Sequence, residues 1–356
     1  MPQTGASKTR GSEKSAHYAE TPGVLPDTAL ESLIAAEAIA AEAEYPIEPD
    51  QIQPASLDLR LSSDVYRVRA SFLPGKGRTI GKLLHTSDLQ MHRMDLTGGA
   101  VLETGCVYLA LLAERLALPK GLRGRANPKS STGRLDVFTR VITDHGEAFD
   151  DIPDGYNGPL YLEISPRTFS ILARKGDRLC QLRLRSGDLP ASKEITFSVS
   201  LEADTHGEAV GWRARRHAGV VDLQRVGKHA IADYWEPVFP HRGRVVLQPE
   251  DFYILASKEA VKVPMGQAAE MAPIAPELGE FRAHYAGFFD PGFGNNKGGS
   301  RAVLEVRTRD VPFFIEDGQP VGRLVYEPMA AKPKRAYGSA TSHYQGQGLR
   351  LGKHFA

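Results

Sequence analysis

Apolar and polar residues alternate with a period of two along most of this chain. In the first such stretch, Leu57, Leu59 and Leu61 alternate with polar neighbours, and the other stretches are 107–111, 160–164 and 182–184. Every second side chain of a β-strand points to the same face, so the alternation predicts strands with one buried face. Glycine and proline interrupt the runs roughly every 8 to 12 residues, as is typical of β-barrels and jelly rolls. The chain is therefore predicted to be mainly β, with few short helices.

One segment of this pattern occurs twice, 145 positions apart. The identical pairs at this spacing are Leu102 and Leu247, Tyr108 and Tyr253, Glu114 and Glu259, Pro119 and Pro264, and Gly121 and Gly266. A second pair of similar strands carries Glu163 and Glu305. Recurrence at a constant spacing marks a duplicated structural unit. We therefore predict two tandem β-barrel or jelly-roll domains, for which a chain of 356 residues is long enough.

Composition divides the chain into five parts. Its two ends are polar and poor in the apolar residues that a core needs. The predicted parts are a disordered tail at 1–22, a first copy at 23–190, a connector at 191–220, a second copy at 221–332 and a C-terminal tail at 333–356. The C-terminal tail is rich in Gly, Ser, Tyr and Gln, which is typical of a linker or of a lid that orders over a ligand.

Charge and cysteine content limit the partners and the compartment. The formal net charge is +1, which gives no electrostatic reason to expect a nucleic acid or an acidic membrane as a partner. No apolar run approaches the roughly 20 residues of a membrane span, and the N-terminus lacks the apolar core of a signal peptide. Cys106 and Cys180 lie in apolar runs, which favours buried thiols over a disulfide. We expect a soluble cytoplasmic protein.

Five segments, in order along the chain, resemble signature segments of one enzyme family. They are 53–61, 128–135, 155–163, 176–182 and 337–347. Together they resemble the dCTP deaminases, which belong to the trimeric dUTPase superfamily. The resemblance implies two dUTPase-like domains and the hydrolytic deamination of dCTP to dUTP and ammonia, a step that supplies the precursor of thymidylate. It also implies a homo-oligomer with three-fold symmetry, in which the sites lie between subunits.

The resemblance assigns the chemistry to three side chains. A carboxylate whose pKa is tuned by its surroundings can take a proton from water and return protons to the ring nitrogen and to the leaving ammonia. Glu163 is the expected carboxylate, Ser130 is expected to hold the water, and Arg134 is expected to order the site. No cofactor or metal bound by the protein is expected, and Mg²⁺ is expected to arrive on the phosphates of the substrate.

The residues themselves argue against the chemistry of the zinc-dependent deaminases. Those enzymes pair a His-x-Glu segment with Pro-Cys-x-x-Cys. The segment His145-Gly146-Glu147 has the spelling of the first half, but Cys106 and Cys180 lie 74 positions apart and cannot form the second half. A site at which the protein itself binds no metal is therefore the better interpretation.

A triphosphate requires several hydrogen-bond donors and positive charge in one place. Lys129, Ser130, Ser131 and Arg134 supply them within six residues. By spacing alone an exposed polar turn explains this segment, since no Gly-rich phosphate loop is present, and it is the resemblance that favours a phosphate site. The further substrate-binding residues that the resemblance implies are Tyr156, Gln181, Tyr337, His343 and Gln347. Tyr156 is expected either to stack on the nucleotide or to fill the mouth of the barrel.

The second copy repeats the scaffold but not the whole site. The stretch that corresponds to 129–134 lies within 272–279, which has no serine pair and no cation. Glu277 in this stretch would repel phosphate. A complete second site is therefore not expected.

A composite site is the remaining arrangement. The phosphate-binding segment of the first copy can face Glu163 of a neighbouring first copy. It can also face the second copy, which offers Glu305 together with Asp290 and Phe293. We expect Glu163 to serve the site, with Glu305 as the alternative.

Two other functions stay open. A bifunctional enzyme would also hydrolyse dUTP to dUMP, which requires a carboxylate three residues before the aromatic residue of the base-binding turn. In the first copy this place, three before Tyr156, holds Pro153, with aspartates close by. A nucleotide-binding regulator without catalysis is the other alternative, and the presence of Ser130, Arg134 and Glu163 argues against it. The pattern does not indicate the size of the oligomer or the preferred phosphorylation state of the substrate.

Overall fold

The computed structural model describes residues 22–86, 88–189, 193–202, 207–274, 287–295, 298–308, 310–339 and 348–356, and the backbone alone over 281–284. The protein is mainly β, as predicted. The predicted disordered tail at 1–22 lies outside the described residues except for its last residue. No helix in the described part is long and apolar enough to cross a membrane. The cytoplasmic location stays a prediction.

The first copy contains strands β1 to β13. Their bounds are Gly23–Val24, Ile39–Ala41, Leu57–Leu59, Leu61–Val68, Gln90–Asp95, Ala100–Leu102, Val107–Ala117, Leu122–Pro128, Val137–Thr143, Asp151–Ile152, Asn157–Pro166, Ile171–Ala173 and Cys180–Ser186. One sheet has the order β1-β13-β8-β10 with β3 added on β13. The other has the order β5-β4-β7-β11-β9 with β2 added on β7. The two sheets enclose the first core.

The second copy contributes strands β14 to β25. Their bounds are Glu194–Ser200, Gly211–Ala214, Val221–Asp222, Trp235–Val238, Arg244–Leu247, Tyr253–Val261, Gln267–Ala272, Phe281–His284, Phe288–Phe289, Ser300–Thr308, Phe313–Glu316 and Pro320–Pro328. The main sheet has the order β17-β15-β19-β14-β25-β20-β22, with β23 on β19 and β21 on β23. β18 pairs with β24, and β16 pairs with β12 of the first copy, which in turn pairs with β6.

The helices are short. They are Asp27–Ala35 (α1), Ile80–Thr86 (α2), Ser130–Gly133 (α3) and Ile231–Tyr234 (α4), with a 3₁₀ turn at Pro49–Gln51. Asp27, at the start of α1, is fully buried and accepts hydrogen bonds from the backbone N–H groups of Lys334 and Arg335, each at 2.9 Å. This contact ties the beginning of the C-terminal tail to the first copy.

The duplication is visible in the register of the strands. In the first copy Leu109 of β7 lies opposite Glu163 of β11, and in the second copy Ile254 of β19 lies opposite Glu305 of β23. Ile254 stands 145 positions after Leu109, the same spacing as in the repeated segment. Glu163 and Glu305 therefore occupy equivalent positions in the two copies.

The prediction of a connector over 191–220 is wrong for two stretches. β14 and β15 lie inside it, and β14 is inserted between β19 and β25 of the main sheet. Phe197 and Val199 of β14 are fully buried in the second core. Their period-two spacing was the strand signal in this region. The second copy therefore begins about 30 residues earlier than its predicted start at 221.

Buried ion pairs join the two copies. Arg183 of β13 is fully buried, and it donates to Asp290 at 3.1 Å and to Glu327 at 3.4 Å. Arg185, two residues on, pairs with Glu327 at 2.5 Å. A buried charge that loses its partner is strongly destabilising, so these pairs hold the copies in one relative position. That position determines which glutamate the phosphate-binding segment meets.

Candidate active site

The predicted phosphate-binding segment forms the short helix α3 at the end of β8. β8 pairs with β13 up to Pro128, and the N–H of Lys129 donates to the carbonyl of Leu179 at 2.9 Å. The hydroxyl of Thr132 donates to the same carbonyl at 2.8 Å. These bonds fix the turn on a central strand of the first copy, so that Ser130 and Arg134 are held on a rigid element.

Glu305 of the second copy lies directly against α3. A methyl group in place of the Gly133 hydrogen would stand 2.7 Å from both Cδ and Oε1 of Glu305, well inside any normal contact distance. The carboxyl group therefore fits over Gly133 because this residue has no side chain. The composite arrangement with Glu305 is present within a single chain.

A small cavity of about 40 Å³ lies at this contact. The residues that line it are Ser130, Arg134, Met271, 287–289, Phe293, Val303, Glu305 and Tyr337. Ring centroids of Phe293 and Tyr337 lie 5.4 Å apart, so an aromatic pair forms one wall. The cavity is polar at the Ser130 and Glu305 end and large enough to hold a water molecule.

The Glu305 carboxyl is buried and incompletely satisfied. Glu305 is 6 % exposed, and its Oε2 accepts no hydrogen bond from the residues that the structure describes. Burial raises the pKa of Glu305 well above its ordinary value, and the nearby Asp136 adds to this, while the Arg134 guanidinium opposes it. Arg134 is itself oriented by a 3.1 Å hydrogen bond to the carbonyl of Arg350. A carboxyl group with a raised pKa binds a proton more readily than an ordinary glutamate, as a proton shuttle must.

A larger cavity of about 520 Å³ opens on the other side of Ser130. It shares Ser130, Phe288 and Tyr337 with the small cavity and continues past Lys129 and Ser131. Its remaining lining residues are Asp50, Gln53, Asp58, Thr132, Leu135, Gly176, Asp177, Arg178, Leu179, Gln181, Leu223, Gln224, Val226, Asp290, Lys353 and His354. This volume is in the range of small-molecule sites in proteins. The two cavities adjoin through their three shared residues, and together they form the candidate binding site.

Two further predicted residues of the second copy lie at this site. Asp290 is buried in the wall of the larger cavity, where it pairs with Arg183 and accepts a 3.4 Å hydrogen bond from Ser56. Burial raises the pKa of Asp290, and the Arg183 guanidinium opposes this. Phe293, three residues on, lies in the small cavity.

Glu163 lies elsewhere and is paired with Arg140. Its side chain is 3 % exposed and accepts hydrogen bonds from Nε and Nη2 of Arg140, at 3.0 and 2.6 Å. Arg140 stacks over the ring of Phe149 at 3.6 Å and donates to Ser71 at 2.7 Å. Glu163 lines neither the small nor the large cavity. The structure thus places it in an ion pair of the first copy, apart from Ser130 and Arg134 of the same chain.

The remaining predicted residues fall into three groups. Gln181 and Tyr337 line the larger cavity, and the Tyr337 N–H donates to the carbonyl of Pro291 at 2.7 Å. Tyr156 is buried in its own turn, where its hydroxyl donates to the carbonyl of Pro159 at 2.7 Å, and it lines neither cavity. Its observed position agrees with the filling role rather than with stacking on a ligand. His343 and Gln347 lie outside the described residues.

Several residues of the site carry no sequence signal that would have identified them. Arg178 and Lys353 line the larger cavity from positions 175 residues apart, and Arg183 pairs with Asp290 in its wall. Gly133 is one glycine among 35, and its importance depends on the carboxyl group that lies against it. Among the described residues no cluster of three or more His, Cys, Asp or Glu side chains is arranged to hold a metal ion.

Comparison with known proteins agrees with this architecture. The family model of the 2'-deoxycytidine 5'-triphosphate deaminase N-terminal domain matches residues 21–188, and that of the C-terminal domain matches residues 173–355. A dUMP-forming dCTP deaminase of Coprothermobacter proteolyticus is 28% identical over 163 residues, which cover 45% of this chain and 80% of that protein. One of Acidothermus cellulolyticus is 33% identical over 150 residues, which cover 41% of this chain and 72% of that protein.

A solved structure extends the likeness over both copies. The crystal structure of 2'-deoxycytidine 5'-triphosphate deaminase from Agrobacterium tumefaciens matches with a TM-score of 0.84 and 50% sequence identity. The match covers 88% of this chain and 100% of that chain. With both halves matched by the family models and the fold matched by this structure, the chain belongs to the dCTP deaminase family.

Proposed function

We propose that the protein converts dCTP and water to dUTP and ammonia at a site built from both copies, with Glu305 as the proton shuttle. The observation that supports this most strongly is the position of Glu305, whose buried carboxyl group lies against the turn that carries Ser130 and Arg134. Family membership supplies the substrate, and the two adjoining cavities offer separate places for a base and for phosphates.

In the proposed reaction, water is held between the Ser130 hydroxyl and the Glu305 carboxylate. Its oxygen attacks C4 of cytosine while its proton passes to Glu305, which delivers it to N3. The proton of the new hydroxyl group then passes through Glu305 to the exocyclic amino group. The C4–N bond breaks, and ammonia leaves as uracil forms. The raised pKa of Glu305 supports this role because the group must gain and lose a proton in each cycle.

The surroundings of Glu305 supply the other requirements of the reaction. Arg134 places positive charge beside the carboxylate and is held in position through the carbonyl of Arg350. The Phe293 and Tyr337 rings wall the small cavity, so the base would be screened from bulk water. Lys129 and Ser131 stand on the far side of Ser130 and would contact the phosphates. We propose that Mg²⁺ enters with these phosphates and that the protein binds no metal of its own.

This assignment differs from the expectation that Glu163 would serve the site. The two glutamates are equivalent in the fold, but the residue opposite each on the neighbouring strand differs. Arg140 of β9 lies opposite Glu163, and His284 of β21 lies opposite Glu305. The Glu163 carboxylate is occupied by the Arg140 guanidinium, which donates to it through both Nε and Nη2. Its pairing with Arg140 therefore argues against Glu163 as a shuttle.

The two glutamates can be tested against each other with matched variants. Glu305→Gln should lower kcat for dCTP deamination by about 10³-fold, because it removes the proton shuttle and leaves the shape of the site unchanged. Glu163→Gln should retain kcat within about threefold per folded molecule, since an amide can still accept from Arg140. Ammonia release and dUTP formation are measured on both, with thermal unfolding as the check of folding. Loss of activity in Glu163→Gln and its retention in Glu305→Gln would refute the assignment.

A second candidate function is the further conversion of dUTP to dUMP. The relatives from Coprothermobacter and Acidothermus are named as dUMP-forming. In the second copy Asp290 stands three residues before Phe293, the place at which diphosphatase chemistry needs a carboxylate, and it lines the larger cavity. Incubation with dCTP and Mg²⁺, with dUTP, dUMP and pyrophosphate resolved, separates the two functions. Under the bifunctional hypothesis, Asp290→Asn stops pyrophosphate release while dUTP accumulates, whereas accumulation of dUTP by the unmodified protein excludes it.

The three-fold oligomer stays a prediction. One chain already brings Ser130, Arg134 and Glu305 together, so the catalytic group of side chains does not require a neighbouring subunit. Sedimentation of the active protein would give the number of chains, and a multiple of three is expected.

A further inference from the structure

Residues 349–356, which we call the C-terminal strap, are docked on the segment that leads into α4. The N–H of Gly227 donates to the carbonyl of Lys353 at 2.9 Å, and the N–H of His229 donates to the carbonyl of His354 at 3.1 Å. The N–H of Ala356 returns a 3.0 Å hydrogen bond to the carbonyl of His229. The strap is thus held along its backbone by a ladder of hydrogen bonds.

An aromatic cluster anchors the end of the strap. The ring of Phe355 lies 5.3 Å from Tyr234, 5.6 Å from Trp235 and 6.1 Å from Phe169, measured between centroids. Trp235 and Phe169 are almost completely buried. Aromatic contacts at these distances and angles add to the free energy of burying the rings. These contacts therefore hold the C-terminal strap in a defined position.

This position brings two groups of the strap to the candidate site. The carbonyl of Arg350 accepts from Nη1 of Arg134, and the side chain of Lys353 lines the larger cavity together with Lys129, Ser130 and Ser131. Lys353 does not line the small cavity that holds Glu305. It therefore stands on the phosphate side of the proposed site and not on the base side.

Lys353 shares the larger cavity with a second ammonium group, that of Lys129. Burial lowers the pKa of Lys353, and the positive charge of Lys129 lowers it further, while Asp58 and Asp177 oppose the shift. Lys129 itself is paired with Asp58. Two ammonium groups in one partly desolvated cavity repel each other. A polyphosphate bound between them would attract both and offset that repulsion.

We propose that Lys353 is a phosphate-binding residue that makes the site selective for the triphosphate over nucleotides with fewer phosphates. The proposal rests on the proposed function, because it takes the larger cavity as the phosphate side of a dCTP site. Lys129, Ser130 and Ser131 are contiguous in the sequence and contact phosphate near the base. Lys353 adds a second ammonium group to this cavity from the C-terminal strap and contacts the phosphate farthest from the base, which a nucleotide with fewer phosphates lacks.

Steady-state kinetics with dCTP and dCMP tests the proposal. Lys353→Met keeps most of the apolar stem and removes the charge. It should raise KM for dCTP by about tenfold to hundredfold, the range expected for one charge-assisted hydrogen bond, with kcat within about threefold of the unmodified protein. The value of kcat/KM for dCMP should change by less than twofold. Lys353→Arg should restore most of the affinity for dCTP.

Lys332→Met provides the matched control because it makes the same change of charge at an exposed position outside both cavities. An unchanged KM for dCTP in Lys353→Met, or equal losses with dCTP and dCMP, would overturn the proposal. If the unmodified protein does not deaminate dCTP, the proposed function fails independently. Calorimetric titration of dCTP into the unmodified protein and into Lys353→Met then decides the proposal. A larger dissociation constant for the variant would support it, and equal dissociation constants would overturn it.

Discussion

Substitution of Gly133 by alanine tests the contact between the two copies at the proposed site. The added methyl carbon would lie 2.7 Å from Cδ of Glu305, whereas ordinary contacts begin near 3.4 Å. The carboxyl group would therefore have to move by about 1 Å, and a displacement of this size at a catalytic group costs about 10²-fold in rate. Gly133 does not adopt a positive φ, so alanine introduces no backbone strain. We expect kcat for dCTP deamination to fall by about 10²-fold and the overpacking to cost about 1–3 kcal/mol of stability.

Gly81→Ala is the matched control for this variant. Gly81 also lies in a short helix, α2, and its new methyl carbon would meet the hydroxyl oxygen of Tyr161 at an ordinary 3.8 Å. Alanine favours a helix over glycine by about 1 kcal/mol, so this variant should be fully active and at least as stable as the unmodified protein. Deamination is measured at saturating dCTP, and thermal unfolding reports stability. Full kcat in Gly133→Ala would refute the placement of Glu305 over the turn.

Two further predictions concern groups outside the cavities. Arg140→Met should leave the buried Glu163 carboxylate without its guanidinium partner and lower the free energy of unfolding, measured with denaturant, by about 3 kcal/mol. The value of kcat per folded molecule should be retained, and a large loss of kcat would point to Glu163 as a catalytic group. Burial raises the pKa of Asp150 from 3.8, its value in the unfolded chain, to about 7. Between about pH 4 and pH 7 the carboxyl group is therefore protonated in the folded protein and ionised in the unfolded chain. Stability should therefore fall as pH rises from about 4 to 7, by at most about 4 kcal/mol, and Asp150→Asn should flatten this dependence in unfolding curves measured at pH 5 and pH 8; an unchanged slope would contradict the proton linkage.

The fold was predictable because its signal is local and repeated. The period-two alternation of apolar residues in 57–61 and 160–164 recurs in the observed strands, and the 145-residue spacing recurs in their register. The turn at Lys129 to Arg134 was predictable for the same reason, since its groups are contiguous in the sequence. The first strand of the second copy was missed because β14 is separated from the rest of its sheet by weakly patterned chain.

The choice between the two glutamates was not predictable from either copy alone. Glu163 and Glu305 occupy the same position of the same fold, and the local sequence around each reads as a strand. What distinguishes them is the residue on the neighbouring strand and the way in which Arg183 and Asp290 join the copies. Both depend on contacts between residues more than 20 positions apart, which periodicity does not reveal. Lys353 was missed for the same reason.

A crystal structure of Glu305→Gln with dCTP and Mg²⁺ tests the central claim most directly, because the variant binds the substrate without turning it over. The account predicts the cytosine ring where the small cavity meets the larger one, with C4 within about 4 Å of the side-chain amide introduced at position 305, across a water held by Ser130 in the small cavity, and the phosphates in the larger cavity between Lys129 and Lys353. Cytosine bound beside Glu163, whether of the same chain or of a neighbouring one, with the cavity at position 305 empty, would contradict it.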